Sequence, residues 1–276
     1  MHLGTMRTAY FNWLAARASG GKFLVRVDDT DARRNQEAVS KAIFTVIGWF
    51  GLDFDKQFCQ SEYIDLYTGF ALILLDKKVA IRLPNGAIAL HNPELPEAWY
   101  DEIAGDIPIT ETNYEQIDKR LILLRGDVSN NSPTYQLASV VDDWDHTINY
   151  IIRGTDHISN TPKQIAIWNA LNKCFPDRAQ KLPKFAHVGL LFKDGKKLSK
   201  RDSSFSLSQY VDYNPEALLN FLLRLGWSPH EDNKANSLIS KERAVEMFLT
   251  QGRMRNSQAN VDEQKLKWFN KKYNRI

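Results

Sequence analysis

The chain has 276 residues, 43% of them hydrophobic and 25% charged, with a net charge of +3. It is long enough to bury a sizeable core, and it shows neither a Pro/Gly excess nor an internal repeat, which excludes low-complexity and solenoid classes. Cys59 and Cys174 stand in no paired spacing, so neither a disulfide framework nor a zinc site is indicated, and no run approaches the ~20 apolar residues of a membrane span. Arg7, Asn12 and Arg17 interrupt the apolar segment that a signal peptide would need. The expectation is a soluble, cytoplasmic protein with no membrane partner. The charge is unevenly spread: from Gln251 to Ile276, seven basic residues face only Asp262 and Glu263. A basic terminal region is compatible with a phosphate backbone, although a solvated helix face is the commoner meaning.

In chain order, residues 3–18 read as a helix with Met6, Tyr10, Trp13 and Leu14 on one side, closed by Gly20-Gly21. Lys22–Val27 reads as a strand, and a helical pattern runs from about Glu37 to Phe50. Residues 62–76 form a further helix. Val79–Gly86 is a strand and turn, and Trp99–Ile107 a second β-like element. From Leu121 an α/β rhythm resumes: strand Leu121–Arg125, helix Thr134–Val141 behind Pro133, strand Thr147–Ile152, helix Asn160–Asn172, strand Phe185–Phe192. Alternation of this kind predicts an α/β fold with a doubly wound, mainly parallel sheet. In such sheets ligands sit beyond the carboxyl ends of the strands. After Ser206 the texture turns helical: Pro215 opens an apolar helix ended by Gly226, Ser240 caps another, and Asp262 starts a last one through Tyr273.

The strand at 185–192 feeds the most basic stretch of the chain, Lys193-Asp194-Gly195-Lys196-Lys197-Leu198-Ser199-Lys200-Arg201, turned by Asp194-Gly195. A mobile cationic loop of this composition suits a polyphosphate, although on charge alone a solvated basic loop is the commoner meaning. At the other end, Met1-His2-Leu3-Gly4-Thr5 opens a helix.

His2-x-Gly4 and Lys197-Leu198-Ser199-Lys200-Arg201 resemble the two signatures of class I aminoacyl-tRNA synthetases. Arg7-Thr8-Ala9, Arg26-Val27-Asp28-Asp29-Thr30-Asp31, Pro133-Thr134-Tyr135 through Val140-Val141-Asp142-Asp143, and Ile152-Arg153-Gly154 are similar, in order, to blocks of the glutamyl-tRNA synthetase subfamily. The resemblance implies a Rossmann-type nucleotide-binding domain over 1–205, with a shortened acceptor-binding insertion at about 77–120. A helical stem-contact region over 206–276 follows, in a truncated form lacking the anticodon-binding domain. The family carries a strand and a Pro/Ser/Gly turn before its histidine motif; this sequence starts at the histidine, so the expectation is a start lying upstream or a sheet short of one strand. The cysteines that hold zinc in some members are missing, and no zinc is expected.

The implied activity is ATP-dependent conversion of L-glutamate to glutamyl-adenylate and its transfer to the 3′ end of tRNA, by a protein expected to be a monomer. Such chemistry needs two anions brought together and charge stabilised on phosphate oxygens. A helix start suits the triphosphate, with His2, Gly4 and Thr5 supplying it and Gly4 admitting the nucleotide close to the backbone. Lys197 and Lys200 would add charge opposite the pyrophosphate and Ser199 would hold the loop, so His2, Lys197 and Lys200 are the catalytic candidates. Mg²⁺ is implied by ATP rather than by a ligand cluster. For glutamate, Arg153 can grip the side-chain carboxylate in bidentate fashion; its alternative is an ion pair with Asp28 or Asp142. Tyr135 can donate to the same substrate or be a core aromatic. Asp28 stands where the family usually has glutamate, facing the substrate ammonium. The other histidines, His187 among them, read as structural or surface residues. Two further readings stay open: a glutamyl-queuosine tRNA(Asp) synthetase-like enzyme, and a catalytically weak paralogue that only binds tRNA or ATP.

Overall fold

The computed structural model describes residues 2–29, 36–126, 132–198, 207–230 and 238–274, with backbone alone for 36–40. Helix α1 (Leu3–Ala18) buries Leu3, Met6, Tyr10, Phe11 and Leu14, a spacing of three and four that lays one apolar stripe along the helix. It ends at Gly20, whose φ of +66° an L side chain rarely adopts. Strand β1 (Leu24–Val27) follows, then α2 (Gln36–Trp49) and β2 (Lys56–Cys59), which pairs parallel with β1.

A second unit of packing begins with α3 (Ile64–Asp76), β3 (Ala80–Arg82) and β4 (Ile88–Leu90). The single β-like element expected at 99–107 is a hairpin instead, β5 (Ala98–Asp101) and β6 (Gly105–Pro108), because Gly105 takes a positive φ of 79° and turns the chain back. Helix α4 (Glu111–Ile117), unforeseen in the sequence, starts on a Thr110–Asn113 capping box. Strand β7 (Ile122–Leu124) pairs antiparallel with β4, α5 (Tyr135–Asp145) follows, and β8 (Tyr150–Gly154) leads through a 3-10 turn into α6 (Thr161–Cys174).

The apolar run 185–192 is two strands rather than one: β9 (Lys184–Val188) pairs parallel with β8, and β10 (Leu191–Lys193) joins another sheet. The break falls at Gly189, where a Cβ would lie 1.9 Å from the Ser257 carbonyl oxygen. β10 turns through Asp194 and Gly195, both at positive φ, into β11 (Lys196–Lys197). Then come α7 (Pro215–Arg224), β12 (Trp227–Pro229), α8 (Lys241–Met247), β13 (Gly252–Met254), β14 (Ala259–Asn260) and α9 (Glu263–Tyr273). Ser240 and Asp262 cap α8 and α9 as their sequences predict.

The fold is α/β with parallel pairing at its centre: β1 with β2, and β9 with both β8 and β5, flanked by antiparallel hairpins. Among the described residues no strand occupies the free edge of β8. There the Asn12 side chain donates to the Ile152 carbonyl at 2.8 Å and accepts from the Ile152 N–H at 3.3 Å, fastening α1 to the strand. One core gathers α1, β1, β10 and the helices after residue 206, while a second gathers α3, α5, α6 and the β3–β4–β7 sheet. Helix α1 therefore lies between the parallel strands and the C-terminal helices, with Asn12 on β8 and Arg7 meeting Gly189 just past the carboxyl end of β9. No helix among the described residues is long and apolar enough to cross a membrane.

Candidate active site

His2 is the N-cap of α1. Its Nδ1 accepts from the N–H groups of Gly4 at 3.1 Å and Thr5 at 3.3 Å. Because Nδ1 accepts, a neutral ring carries its proton on Nε2, which donates to the Thr5 hydroxyl at 3.1 Å. Gly4 makes room for this arrangement: a Cβ there would stand 3.0 Å from the His2 ring. The two N–H groups that the sequence offers to a triphosphate thus already bind the imidazole. An anion at this helix start either displaces the ring or sits beyond it.

One turn on, the guanidinium of Arg7 is buried and spans three segments. It donates to the Leu225 carbonyl at 2.7 Å and to the Gly189 carbonyl, so α1, the base of the lysine hairpin and the end of α7 meet on one cation. Burial pulls its pKa down to about 10, which leaves it charged at neutral pH. Gly189 also donates to the Arg255 carbonyl, and β10 pairs parallel with β14. Gly189→Ala is expected to push residues 256–257 off the hairpin base and destabilise the chain by roughly 3 kcal/mol or more, read as a lowered Tm; an unchanged Tm would show that the segment yields freely.

The hairpin that follows carries Lys197, whose ammonium lies 2.9 Å from the Asp156 carboxylate. Burial would raise the Asp156 pKa, but the Lys197 hydrogen bond and charge hold it below the usual carboxylate value. Lys193 pairs with Glu263 at the start of α9. Ser199, Lys200 and Arg201 lie outside the described residues.

Arg153 stands on β8, and its side chain makes neither of the ion pairs expected as the alternative. Nε donates to His187 Nε2 at 3.0 Å, Nη1 to Gln164 Oε1 at 2.5 Å and Nη2 to Thr161 Oγ1 at 2.7 Å. All three partners are uncharged in that arrangement, and burial lowers the Arg153 pKa. His187, read from sequence as structural or surface, is fully buried and continues the chain: its Nδ1 lies 2.7 Å from Asp101 Oδ2.

Asp28 and Asp142 instead belong to Arg26. Arg26 donates to Asp28 at 2.8 Å and to Asp143 at 2.8 Å, with Asp142 at 3.5 Å; Gln60 and Tyr67 each donate to Asp142 at 2.8 Å. Burial works against the Arg26 charge, but Asp143, Asp28 and Asp142 together hold its pKa above the ordinary arginine value. Burial raises the pKa of Asp142 and Asp143 despite that partner. Tyr135, at the start of α5, has its pKa raised by burial and then by the Asp28 charge, with the Arg153 charge opposing. Asp28, Tyr135 and Arg153 therefore share one electrostatic neighbourhood.

Helix α1 touches the hairpin base through Arg7 and Gly189, and the hairpin touches the loop after Arg153 through Lys197 and Asp156. Among the described site candidates, Asp28, Tyr135 and Arg153 are thus linked by charge and Lys197 reaches the loop after Arg153, while His2, Gly4 and Thr5 bond to one another at the start of α1. Sequence reasoning missed Asp101, Thr161, Gln164, His187 and Asp156. Asp101 and His187 are 86 positions apart, and only an acidic residue closing the strand Ala98–Asp101 after Trp99 and Tyr100 hinted at the first.

Comparison with known proteins bears on the family and the fold. The sequence model described as "tRNA synthetases class I (E and Q), catalytic domain" matches residues 1–85 and 87–268. A "Glutamate--tRNA ligase 2" of Ehrlichia chaffeensis is 34% identical, the match covering 99% of this chain and 63% of that protein. A "Glutamate--tRNA ligase 1" of Helicobacter hepaticus is 36% identical, over 99% of this chain and 64% of that protein. The chain thus spans just under two thirds of the length of these curated relatives. Among solved structures, a glutamate tRNA ligase from Elizabethkingia meningosepticum in complex with its amino acid superposes with a TM-score of 0.79 over 99% of this chain and 67% of that one, at 24% identity. That likeness carries the fold.

Proposed function

The chain belongs to the class I tRNA synthetases of the E and Q type, and from that premise we propose that it activates L-glutamate with ATP and transfers it to the 3′ end of tRNA(Glu). A glutamate carboxylate oxygen attacks the α-phosphorus of ATP, the bond to the β-phosphate breaks, and pyrophosphate leaves. A ribose hydroxyl at the tRNA end then attacks the adenylate's carbonyl carbon and AMP leaves. ATP enters as its Mg²⁺ complex. His2, Gly4 and Thr5 take the triphosphate at the start of α1, Lys197 and Lys200 add charge opposite the pyrophosphate, and Ser199 holds the loop. Arg153 takes the side-chain carboxylate, Tyr135 donates to it, and Asp28 faces the ammonium. Residues 1–205 form the catalytic unit, its insertion at 77–120 meets the acceptor stem, and 206–276 reach the stem beyond. The protein works as a cytoplasmic monomer.

One observation carries the choice of glutamate: Arg153 is a largely buried cation whose hydrogen-bond partners are all neutral. Three of its five N–H groups are engaged, leaving one on each terminal nitrogen, the number that a bidentate carboxylate takes. An amide side chain would leave that charge uncompensated.

ATP–pyrophosphate exchange, run with each amino acid with and without tRNA, tests the proposal. Exchange is expected with glutamate; its absence with every amino acid and tRNA(Glu) present, while ATP still binds, would leave only a binding protein. Lys197→Ala and Lys200→Ala are expected to slow adenylate formation roughly a hundredfold, the scale for losing one donor to developing charge, with little change in glutamate KM. Lys197 and Asp156 are 47% and 41% exposed, and such a pair contributes at most about 1 kcal/mol, so Lys197→Ala is expected to leave the Tm nearly unchanged.

A further inference from the structure

Asp101, His187 and Arg153 form a line of hydrogen bonds across three neighbouring strands, β5, β9 and β8. Arg153 donates from Nε and cannot accept, so His187 Nε2 must be the acceptor in that bond. The ring proton then sits on Nδ1 and is donated to Asp101 Oδ2 at 2.7 Å. Asp101 is itself fixed by backbone donors: Ile103 and Ala104 donate to Oδ1 at 3.0 and 2.9 Å, and the His187 N–H donates to Oδ2 at 3.1 Å. Asp101 and His187 are both wholly buried, so water does not compete for these groups.

We propose that Asp101 and His187 are positioning residues: Asp101 fixes the tautomer of His187, and His187 fixes the plane and rotation of the Arg153 guanidinium so that its two remaining N–H groups point at the substrate's side-chain carboxylate. The proposal rests on the reading of Arg153 as the glutamate-carboxylate site. A planar fork gains its advantage over a flexible ammonium only when it is held in one orientation before the ligand arrives. Thr161 and Gln164 hold the terminal nitrogens, and His187 holds the third corner, so the guanidinium is fixed from three directions. Asp101 sits on the hairpin 98–108 within the stretch assigned to acceptor binding, which makes a residue of that insertion part of the amino-acid site.

Asp101→Asn tests the tautomer with little change of shape. With the amide oxygen kept toward the two backbone donors at 103 and 104, the amide NH₂ faces His187, where it donates to Nδ1 and gives up the bond from the His187 backbone N–H. The imidazole proton must then move to Nε2, where it faces the Arg153 Nε–H. With ¹⁵N-labelled histidine, the wild-type ring of His187 is expected to show the Nδ1–H tautomer and the Asp101→Asn ring the Nε2–H tautomer, with His187→Gln assigning the signal. Glutamate KM in the exchange assay is expected to rise roughly tenfold to hundredfold in Asp101→Asn and in His187→Phe, the range for a hydrogen bond to a charged group, while ATP KM stays within about twofold. His187→Gln, whose Oε1 can replace the Nε2 acceptor, is expected to recover most of the loss. Unchanged glutamate KM in Asp101→Asn beside a raised one in Arg153→Ala overturns the positioning role and leaves the reading of Arg153 standing. Unchanged KM in Arg153→Ala overturns both. A wild-type His187 protonated on Nε2 overturns the proposal whatever the kinetics.

Discussion

Arg153→Ala is expected to raise the glutamate KM at least about thirtyfold while leaving the Tm within a few degrees. The two halves of that expectation come from one geometry. The substrate carboxylate loses its counter-charge in a largely buried place, and truncating one side of such a pair costs roughly 2–5 kcal/mol. The unliganded chain loses three hydrogen bonds, to His187, Gln164 and Thr161, but also sheds a buried cation with no charged partner among them. Those terms oppose each other, so stability changes little. Steady-state exchange kinetics and a thermal melt on the same preparation check both. A large fall in Tm with unchanged KM would make Arg153 a structural residue.

Arg26→Met is expected to do the reverse and strike stability. Its loss leaves Asp28, Asp142 and Asp143 facing one another, with Asp142 held only by Gln60 and Tyr67. Uncompensated buried charge of this kind costs roughly 3–5 kcal/mol, or a Tm lower by about 10 °C at pH 8. The sign with pH follows from the direction of the shifts. Burial already raises the folded-state pKa of Asp142 and Asp143 above the unfolded value, and removing Arg26 raises it further. For an acid with a raised folded pKa, the penalty is full above that pKa and is relieved as the pH falls through it. The deficit relative to the wild type should therefore shrink from pH 8 toward pH 5. Melts showing the same deficit at both pH values would contradict the cluster's role.

Much of the scaffold was legible because its causes are local. The three-and-four spacing of Leu3, Met6, Tyr10 and Leu14 shows α1, the Asp194-Gly195 pair shows the hairpin turn, and Ser240 and Asp262 mark helix starts by side-chain capping. What escaped depends on partners distant in sequence. An unbroken apolar run from Phe185 to Phe192 carries no sign that Gly189 must admit the Ser257 carbonyl and split it into two strands. In the site, Arg153 could be singled out from its place after a strand, but not its neutral partners. Asp28 and Asp142 looked like candidates for it because Arg26, which holds both, drew no functional reading. His187 in a continuous strand gives no hint that its ring meets Asp101 from the insertion hairpin. Helix α4 and the hairpin β5–β6 were lost for another reason: each is short, and its pattern is set by a cap or one positive φ rather than by periodicity.

The central claim is that one crevice receives glutamate and the nucleotide together, between the start of α1, Arg153 and the lysine hairpin. Calorimetric titration with a non-hydrolysable glutamyl-adenylate analogue tests it most directly. The account predicts one molecule bound per chain, at least about a hundredfold more tightly than glutamate or ATP alone, with that advantage lost in Arg153→Ala. Binding no tighter than that of ATP, or equally tight in Arg153→Ala, would contradict it.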